Sequence, residues 1–132
     1  MKLLADTSAL LALAMREDQN HASAAAFVRQ NLKARFVLTE LILAEFVTRI
    51  RARAGAGVAV EAGNNVLQSQ RYRLVFIDAD LLRGGLARMV QLADKRLSLT
   101  DCISFETMVR LGLPGAFSFD RDFRDCGFQM LP

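Results

Sequence analysis

Short apolar runs alternate along the chain with longer segments in which apolar residues recur every three or four positions. The runs have the length of buried strands, and most are bounded by polar, glycine or proline residues. Four of them are predicted as strands and a fifth as an edge strand: residues 2–5, 35–38, 73–77, 116–119 and 128–131.

The longer segments have helical spacing, and each lies between two of the predicted strands. They cover residues 8–15, about 20–32, 40–53, a stretch after a glycine-rich break to about 70, a segment from Asp78 or Asp80 to about 93, and 101–111. Strands joined through helices need crossover connections, which favour a mainly parallel sheet covered on both faces. We therefore expect an α/β protein with a three-layer α/β/α fold and four to five strands.

The composition is that of a globular protein and excludes several classes. The 132 residues fit one domain, residues 1–132, and 52% hydrophobic against 23% charged residues exclude bulk disorder. No apolar run reaches the roughly 18 to 20 residues of a membrane helix. Asp6 interrupts the apolar start and no small-residue cleavage site follows, so we expect no export signal and a cytoplasmic location.

Four acidic residues stand where an ordinary domain would not place them. Asp6 and Asp120 follow predicted strands, Glu45 interrupts the apolar run LILAEFV, and Asp101 opens a predicted helix. A carboxylate among apolar residues is costly to bury unless it is protonated, paired or bound to a cation. Ligands of open parallel sheets bind at the carboxyl ends of the strands. These acids therefore predict an oxygen-rich pocket for a hard divalent metal.

Each acid also has a structural explanation. Asp6 can cap the helix that starts near Ser8, and Asp101 can be a first-turn carboxylate stabilised by the helix dipole. Asp120 can belong to a solvated acidic turn, and Glu45 can pair with Arg49 one turn later. The prediction of a metal site would be excluded only if all four of these structural explanations were correct.

Basic residues cluster beside two of these acids. Arg49, Arg51 and Arg53 follow Glu45, and Lys95 and Arg96 precede Asp101, in a chain of net charge +3. Such residues at helix ends either complement the helix dipole or contact phosphate. We predict RNA contact for Arg49, Arg53, Lys95 and Arg96, with the solubilising role as the alternative.

The two cysteines and the one histidine carry no predicted chemistry. Cys102 and Cys126 are too few for a disulfide framework or a zinc site, and Cys102 is expected to pack as a small hydrophobe. His21 is expected at the surface near a helix start.

Four segments, taken in order, resemble the motifs of the PIN-domain family, and more narrowly those of VapC-type toxins of bacterial type II toxin–antitoxin systems. They are LLADTSALLAL, TELILAEF, LSLTDCISFETM and FSFDRDFRDCGF. The resemblance covers essentially the whole chain. Ser118 stands where threonine is more usual, and Asp120 or Asp122 can serve as the fourth acid; we favour Asp120, which comes directly off a strand.

The resemblance implies a metal-dependent ribonuclease that hydrolyses phosphodiesters with a metal-activated water. Mg²⁺ or Mn²⁺ would be held by the four acids, directly or through water, with Ser8 and Ser118 orienting ligands. One or two ions are both compatible with this set. It also implies an antitoxin partner and a homodimer, for which the helices near residues 8–15 and 22–32 are candidate contact faces.

Two alternatives to a nuclease remain open. One is a non-catalytic PIN-fold module that binds RNA or protein. The other is a phosphatase, because LVFIDADLL places Asp78 and Asp80 after a strand as in haloacid-dehalogenase-type enzymes. Helix capping explains both residues better, since little chain remains for the later strands of that fold.

Overall fold

The computed structural model describes all 132 residues and contains one five-stranded sheet. Every neighbouring pair of strands is parallel, in the order β3-β2-β1-β4-β5. The strands are β1 (Lys2–Ala5), β2 (Arg35–Thr39), β3 (Tyr72–Val75), β4 (Gly115–Phe117) and β5 (Gln129–Leu131). The predicted parallel sheet is confirmed, including its fifth, edge strand.

Seven helices connect the strands: α1 (Thr7–Ala14), α2 (His21–Gln30), α3 (Glu40–Ala54), α4 (Ala56–Gln68), α5 (Ala79–Gln91), α6 (Leu99–Leu111) and α7 (Asp122–Asp125). Right-handed crossovers place α1 to α4 on one face of the sheet and α5 to α7 on the other, because the chain reverses direction across the sheet after β3. Helices α1, α2 and α3 pack together, as do α5 and α6. The predicted three-layer α/β/α fold is confirmed.

The core is centred on β1, β2 and β4, which are covered on both faces. Leu3, Leu4 and Phe117 are fully buried, so these strands are apolar without alternation, as central parallel strands are. The ring of Phe117 lies 4.9 Å from that of Phe27 on α2 and 5.3 Å from that of Phe36 on β2. This packing joins the end of β4 to α2 and β2.

Two helix starts bear on the sequence predictions. The Asp78 carboxylate accepts the amide of Leu81 at 2.8 Å and caps α5, while Asp80 pairs with Arg83 on the surface. The capping role preferred over phosphatase chemistry is therefore confirmed for Asp78, whereas Asp80 lies in the first turn of α5 and forms a surface ion pair instead of a cap. Helix α6 begins at Leu99 rather than at residue 101, because Ser98 caps it.

The predicted contact faces for a partner are only partly available. Residues 9–12 of α1 are buried against the sheet, so that helix offers little free apolar surface. The exposed large apolar side chains are concentrated instead on α4 and α5, with examples at Val60, Leu67, Leu86 and Val90. None of the helices combines the length and the apolar character that crossing a membrane requires.

Candidate functional site

The strand order reverses between β1 and β4, and ligand sites of parallel sheets lie at such a switch point. Leu4 and Ala5 pair in register with Ala116 and Phe117, so the next residues, Asp6 and Ser118, emerge side by side. The Asp6 amide donates to the Phe117 carbonyl at 3.0 Å, which extends the strand pairing to this point. The sheet thus brings two predicted site residues together at its carboxyl edge.

Asp6 is buried, and one of its carboxylate oxygens is held by two serines. The hydroxyls of Ser8 and Ser118 donate to Oδ2 at 2.8 and 3.1 Å, and the Ser8 amide lies 3.4 Å from the same atom. Asp6 therefore caps α1, as the structural explanation required. All these bonds go to Oδ2, which leaves Oδ1 available as a ligand.

Burial raises the pKa of Asp6, and hydrogen bonds from Ser8, the Thr7 amide and Ser118 offset part of that rise. Burying the charged carboxylate therefore costs free energy, which the hydrogen bonds from the serines reduce but do not remove. A cation at this position would lower that cost.

Ser118 links Asp6 to the acidic turn after β4. It is fully buried, it accepts the amide of Asp120 at 3.0 Å, and its Oγ lies 3.3 Å from that of Ser8. The Asp120 carboxylate in turn accepts the amide of Asp122 at 3.0 Å through Oδ1. One hydrogen-bonded chain therefore runs from the end of β1 to the start of α7.

Three further carboxylates share the environment of Asp122. Burial raises the pKa of Asp122, and the nearby charges of Asp120, Asp101 and Asp125 raise it further. None of Asp6, Asp101, Asp120 and Asp122 lies within 4 Å of a basic side chain, whereas Glu45, Asp80, Asp94 and Glu106 each form a salt bridge. This edge therefore carries uncompensated negative charge. Asp120 and Asp122 both lie in it, and the choice between them stays open.

Asp101 has a structural role as well as a place in this acidic edge. It forms a capping box with Ser98, in which the Ser98 amide donates to Asp101 Oδ2 at 3.1 Å and the Asp101 amide to Ser98 Oγ at 3.1 Å. Only one carboxylate oxygen is used in this way. The signature Ser-x-x-Asp was readable in the sequence and would have identified Ser98 as the residue that orients Asp101.

Glu45 is the acid that the structure does not join to the others. Its carboxylate accepts Arg49 at 2.7 Å, and it makes no hydrogen bond to another predicted site residue. The ion-pair alternative for Glu45 is therefore present. The pair is of the i,i+4 type on a partly exposed helix face, and such pairs contribute only about 0.3–0.5 kcal/mol.

The fit of this edge to a metal ion is partial. No group of three or more His, Cys, Asp or Glu side chains is assembled closely enough to hold an ion. However, Asp6, Asp101 and Asp120 each use one carboxylate oxygen within the protein and keep the other free. An oxygen-only set with few direct ligands suits Mg²⁺, which keeps several of its waters.

The predicted RNA contacts are in different environments, and Arg53 lies in the last turn of α3, far from the helix end that follows β2. Arg53 and Arg96 are exposed, Arg49 is engaged with Glu45, and Lys95 lies 3.7 Å from Asp94. Burial raises the pKa of the Cys126 thiol while the charge of Lys95 lowers it, which places Lys95 near the acidic turn.

The remaining singled-out residues have structural roles. Cys102 is fully buried as predicted. His21 is half-buried, and its Nδ1 lies 2.7 Å from the Ala12 carbonyl, so it joins α2 to α1. The Thr7 hydroxyl, beside Asp6, is buried with no hydrogen-bond partner, and nothing in the sequence pointed to it.

Comparison with known proteins agrees with this fold. The family model described as PIN domain matches residues 3–129. The 23S rRNA-specific endonuclease VapC20 of Mycobacterium tuberculosis, from strains CDC 1551 / Oshkosh and ATCC 25618 / H37Rv, is 30% identical over 127 residues. The match covers 96% of this chain and 95% of the relative.

Two solved structures share the fold. The crystal structure of Mycobacterium tuberculosis VapC20, described as a sarcin-ricin loop cleaving toxin, superposes with a TM-score of 0.87 at 27% identity, over 96% of each chain. VapBC2 from Rickettsia felis, bound to a DNA fragment from their promoter, gives a TM-score of 0.70 over 100% of both chains. Its identity is 9%, so it supports the fold alone.

Proposed function

The chain belongs to the PIN domain family, and we propose that it is a metal-dependent endoribonuclease and the toxin of a type II toxin–antitoxin pair. The observation that carries this proposal is the hydrogen-bonded acidic edge at the strand-order switch, where Asp6, Ser8, Ser118 and Asp120 meet. We place this activity in the cytoplasm and in a single domain, residues 1–132.

The relative's name supports a substrate class. VapC20 is a 23S rRNA-specific endonuclease, and its crystal structure is described as that of a sarcin-ricin loop cleaving toxin. The identity of 30% extends over almost the whole of both chains. Folded ribosomal RNA that contains this loop is therefore the first substrate to test.

Asp6, Asp101 and Asp120 are the residues proposed to hold Mg²⁺ or Mn²⁺, with Asp122 as the alternative to Asp120. The ion would supply positive charge beside the phosphate and lower the pKa of an attacking water. Ser8 and Ser118 fix the Asp6 carboxylate by bonding its Oδ2, so that Oδ1 keeps one direction.

Glu45 joins this set only if it leaves Arg49. Breaking the Glu45–Arg49 pair costs little free energy, because i,i+4 pairs on a partly exposed helix face are weak. A released Arg49 would then be free, with Arg53, Lys95 and Arg96, to contact the phosphates of the bound RNA.

The proposed partners are an antitoxin and a second copy of the chain. A groove of about 480 Å³ lies between α1, α3 and α4, and 10 of its 13 lining residues are hydrophobic. Its accessible members include Leu13, Ala14 and Val58, and an apolar helix of an antitoxin would fit such a surface. The exposed apolar residues of α4 and α5 are the available faces for a homodimer.

The test is cleavage of a stem-loop RNA with the sarcin-ricin sequence, in Mn²⁺ and in excess chelator. We expect cleavage only with the metal, and products with a 5′-phosphate. Cleavage that persists undiminished in chelator would refute the metal mechanism. Metal and RNA binding without any cleavage would instead support the non-catalytic PIN-fold alternative.

A further inference from the structure

A second charged surface lies at the opposite edge of the sheet from the acids. The amino ends of β1, β2 and β3 each carry a basic residue, Lys2, Arg35 and Arg71. Lys2 pairs in register with Arg35, and the pairing of Phe36 with Tyr72 places Arg71 beside Arg35. Three cations therefore occupy adjacent positions along this edge.

Two further cations flank a depression at the same edge. Arg29 at the end of α2 and Lys33 before β2 are both exposed, and both line a depression of about 360 Å³ formed by residues 29–34 and Met1. We call Lys2, Arg29, Lys33, Arg35 and Arg71 the amino-edge patch.

No acidic side chain of the neighbouring segments neutralises this patch. Residues 19–39 and 62–77 contain neither aspartate nor glutamate, and no residue of the patch forms a salt bridge. Four arginines elsewhere do form salt bridges: Arg49, Arg83, Arg88 and Arg110. Because clustered like charges repel each other, bringing these five charges together costs the fold electrostatic free energy.

Arg71 is also held in place. Its Nη2 donates to the Asn31 carbonyl at 2.9 Å, its Nε to the Ala34 carbonyl at 3.4 Å, and its guanidinium lies 5.5 Å from the centre of the Phe36 ring. These partners are neutral, so they fix the position of the positive charge without cancelling it. A preordered arginine is well suited to bind phosphate.

We propose that the amino-edge patch binds the phosphate backbone of a second segment of folded RNA, distant from the segment held at the acidic edge. This inference rests on the proposed nuclease function. The two edges lie at opposite ends of strands of four to five residues, about 15 Å apart, and face opposite directions. An RNA bound at both must bend around the protein, which a large folded RNA can do and a short straight stem-loop cannot. An acidic protein fits less well, because the cores of protein interfaces are depleted in charge, whereas the large exposed apolar side chains here, Met1 and Leu32, stand among five cations.

The test compares two variants that lower the net charge equally. Lys33→Gln with Arg35→Gln removes two charges from the patch, and Arg83→Glu makes the same change on α5, where Arg83 is exposed and paired with Asp80. RNA affinity is measured by fluorescence anisotropy in chelator, which prevents cleavage. The probes are a folded 23S ribosomal RNA fragment of several hundred nucleotides and the isolated sarcin-ricin stem-loop.

We expect the patch variant to bind the large fragment about tenfold more weakly and to bind the stem-loop unchanged. The slope of log affinity against log salt should decrease by about 1.5, as expected for two lost phosphate contacts. Arg83→Glu should resemble the wild type with both probes. The melting temperature of the patch variant should be unchanged or higher, because repulsion is relieved.

Equal affinity of the patch variant and the wild type for the large fragment would overturn the proposal. An equal loss of RNA affinity in Arg83→Glu would also overturn it, because binding would then respond to net charge alone. Duplex DNA of the same length that bound the patch as tightly as the RNA would overturn it as well. If the wild type cleaved neither RNA but still bound the large fragment more tightly than the patch variant, the nuclease function would be refuted and RNA binding by the patch would be supported.

Discussion

Replacing Ser118 by alanine tests the hydrogen-bonded chain at the acidic edge. Ser118 is fully buried, donates to Asp6 Oδ2 at 3.1 Å and accepts the Asp120 amide at 3.0 Å. The alanine variant removes both bonds and leaves Ser8 as the one hydroxyl on Asp6. It changes no charge and creates space for little more than one oxygen atom.

The magnitude follows from the two lost bonds. A hydrogen bond to a charged group contributes about 1.5–3 kcal/mol, and the half-buried Asp120 amide regains part of its loss from water. We therefore expect a loss of about 2–3 kcal/mol in the free energy of unfolding, or roughly 10 °C in Tm for a chain of this length. Residues that orient a metal ligand typically change activity by about 10–100-fold, and we expect cleavage to fall by that factor.

Ser118→Thr is the matched control because it keeps the hydroxyl. Thermal unfolding by circular dichroism in chelator measures the stability, and single-turnover cleavage in saturating Mn²⁺ measures the activity. We expect the threonine variant to retain most of both. If Ser118→Ala were as stable and as active as the wild type, or if Ser118→Thr were equally impaired, the hydroxyl would not position Asp6.

Burial raises the pKa of Asp6 in the folded state. Between the unfolded and the folded pKa, the native state therefore binds more protons than the unfolded state. The Asp6 carboxyl thus favours folding at low pH, and this stabilisation is lost as the pH rises through the folded pKa. Asp6→Asn should therefore have a higher Tm than the wild type at neutral pH in chelator, with the difference vanishing in acid, and a constant difference would contradict this. Glu45→Gln should change Tm by about 2 °C or less, because only the weak ion pair with Arg49 is lost. The same variant should reduce cleavage at least tenfold. Unchanged cleavage would show that Glu45 serves only as the partner of Arg49 in a structural ion pair. Gly85→Ala should lower the free energy of unfolding by about 1–3 kcal/mol in chemical denaturation, because the added Cβ meets a side chain of α6. The control Gly57→Ala, where the added Cβ enters open space on α4, should not. Equal stability of the two variants would contradict the close packing of α5 against α6.

The order of strands and helices was predictable because the apolar runs are short and clearly bounded. Exact boundaries and single helical turns were less predictable. Helix α6 starts earlier than expected because Ser98 takes the capping position, and the one-turn helix α7 has no periodicity to detect. The apolar residues of α1 were read as a contact face, whereas the sheet already covers them.

The residues of the acidic edge could be proposed from the sequence, but their geometry could not. Asp6 and Ser118 follow from the strand ends, and the register brings them together. The pairing of Glu45 with Arg49 depends on rotamers that no motif encodes. The amino-edge patch was missed because its members come from segments that are distant in sequence and meet only through the parallel register.

The most direct test of the acidic edge as a metal site is Mn²⁺ binding without RNA, measured by isothermal titration calorimetry. Asp6→Asn is compared with Asp80→Asn, since Asp80 is an exposed carboxylate paired with Arg83 on α5. We expect the wild type and Asp80→Asn to bind Mn²⁺ with the same affinity, and Asp6→Asn to bind it at least tenfold more weakly. Equal affinity of all three proteins would contradict the assignment of the metal to this edge.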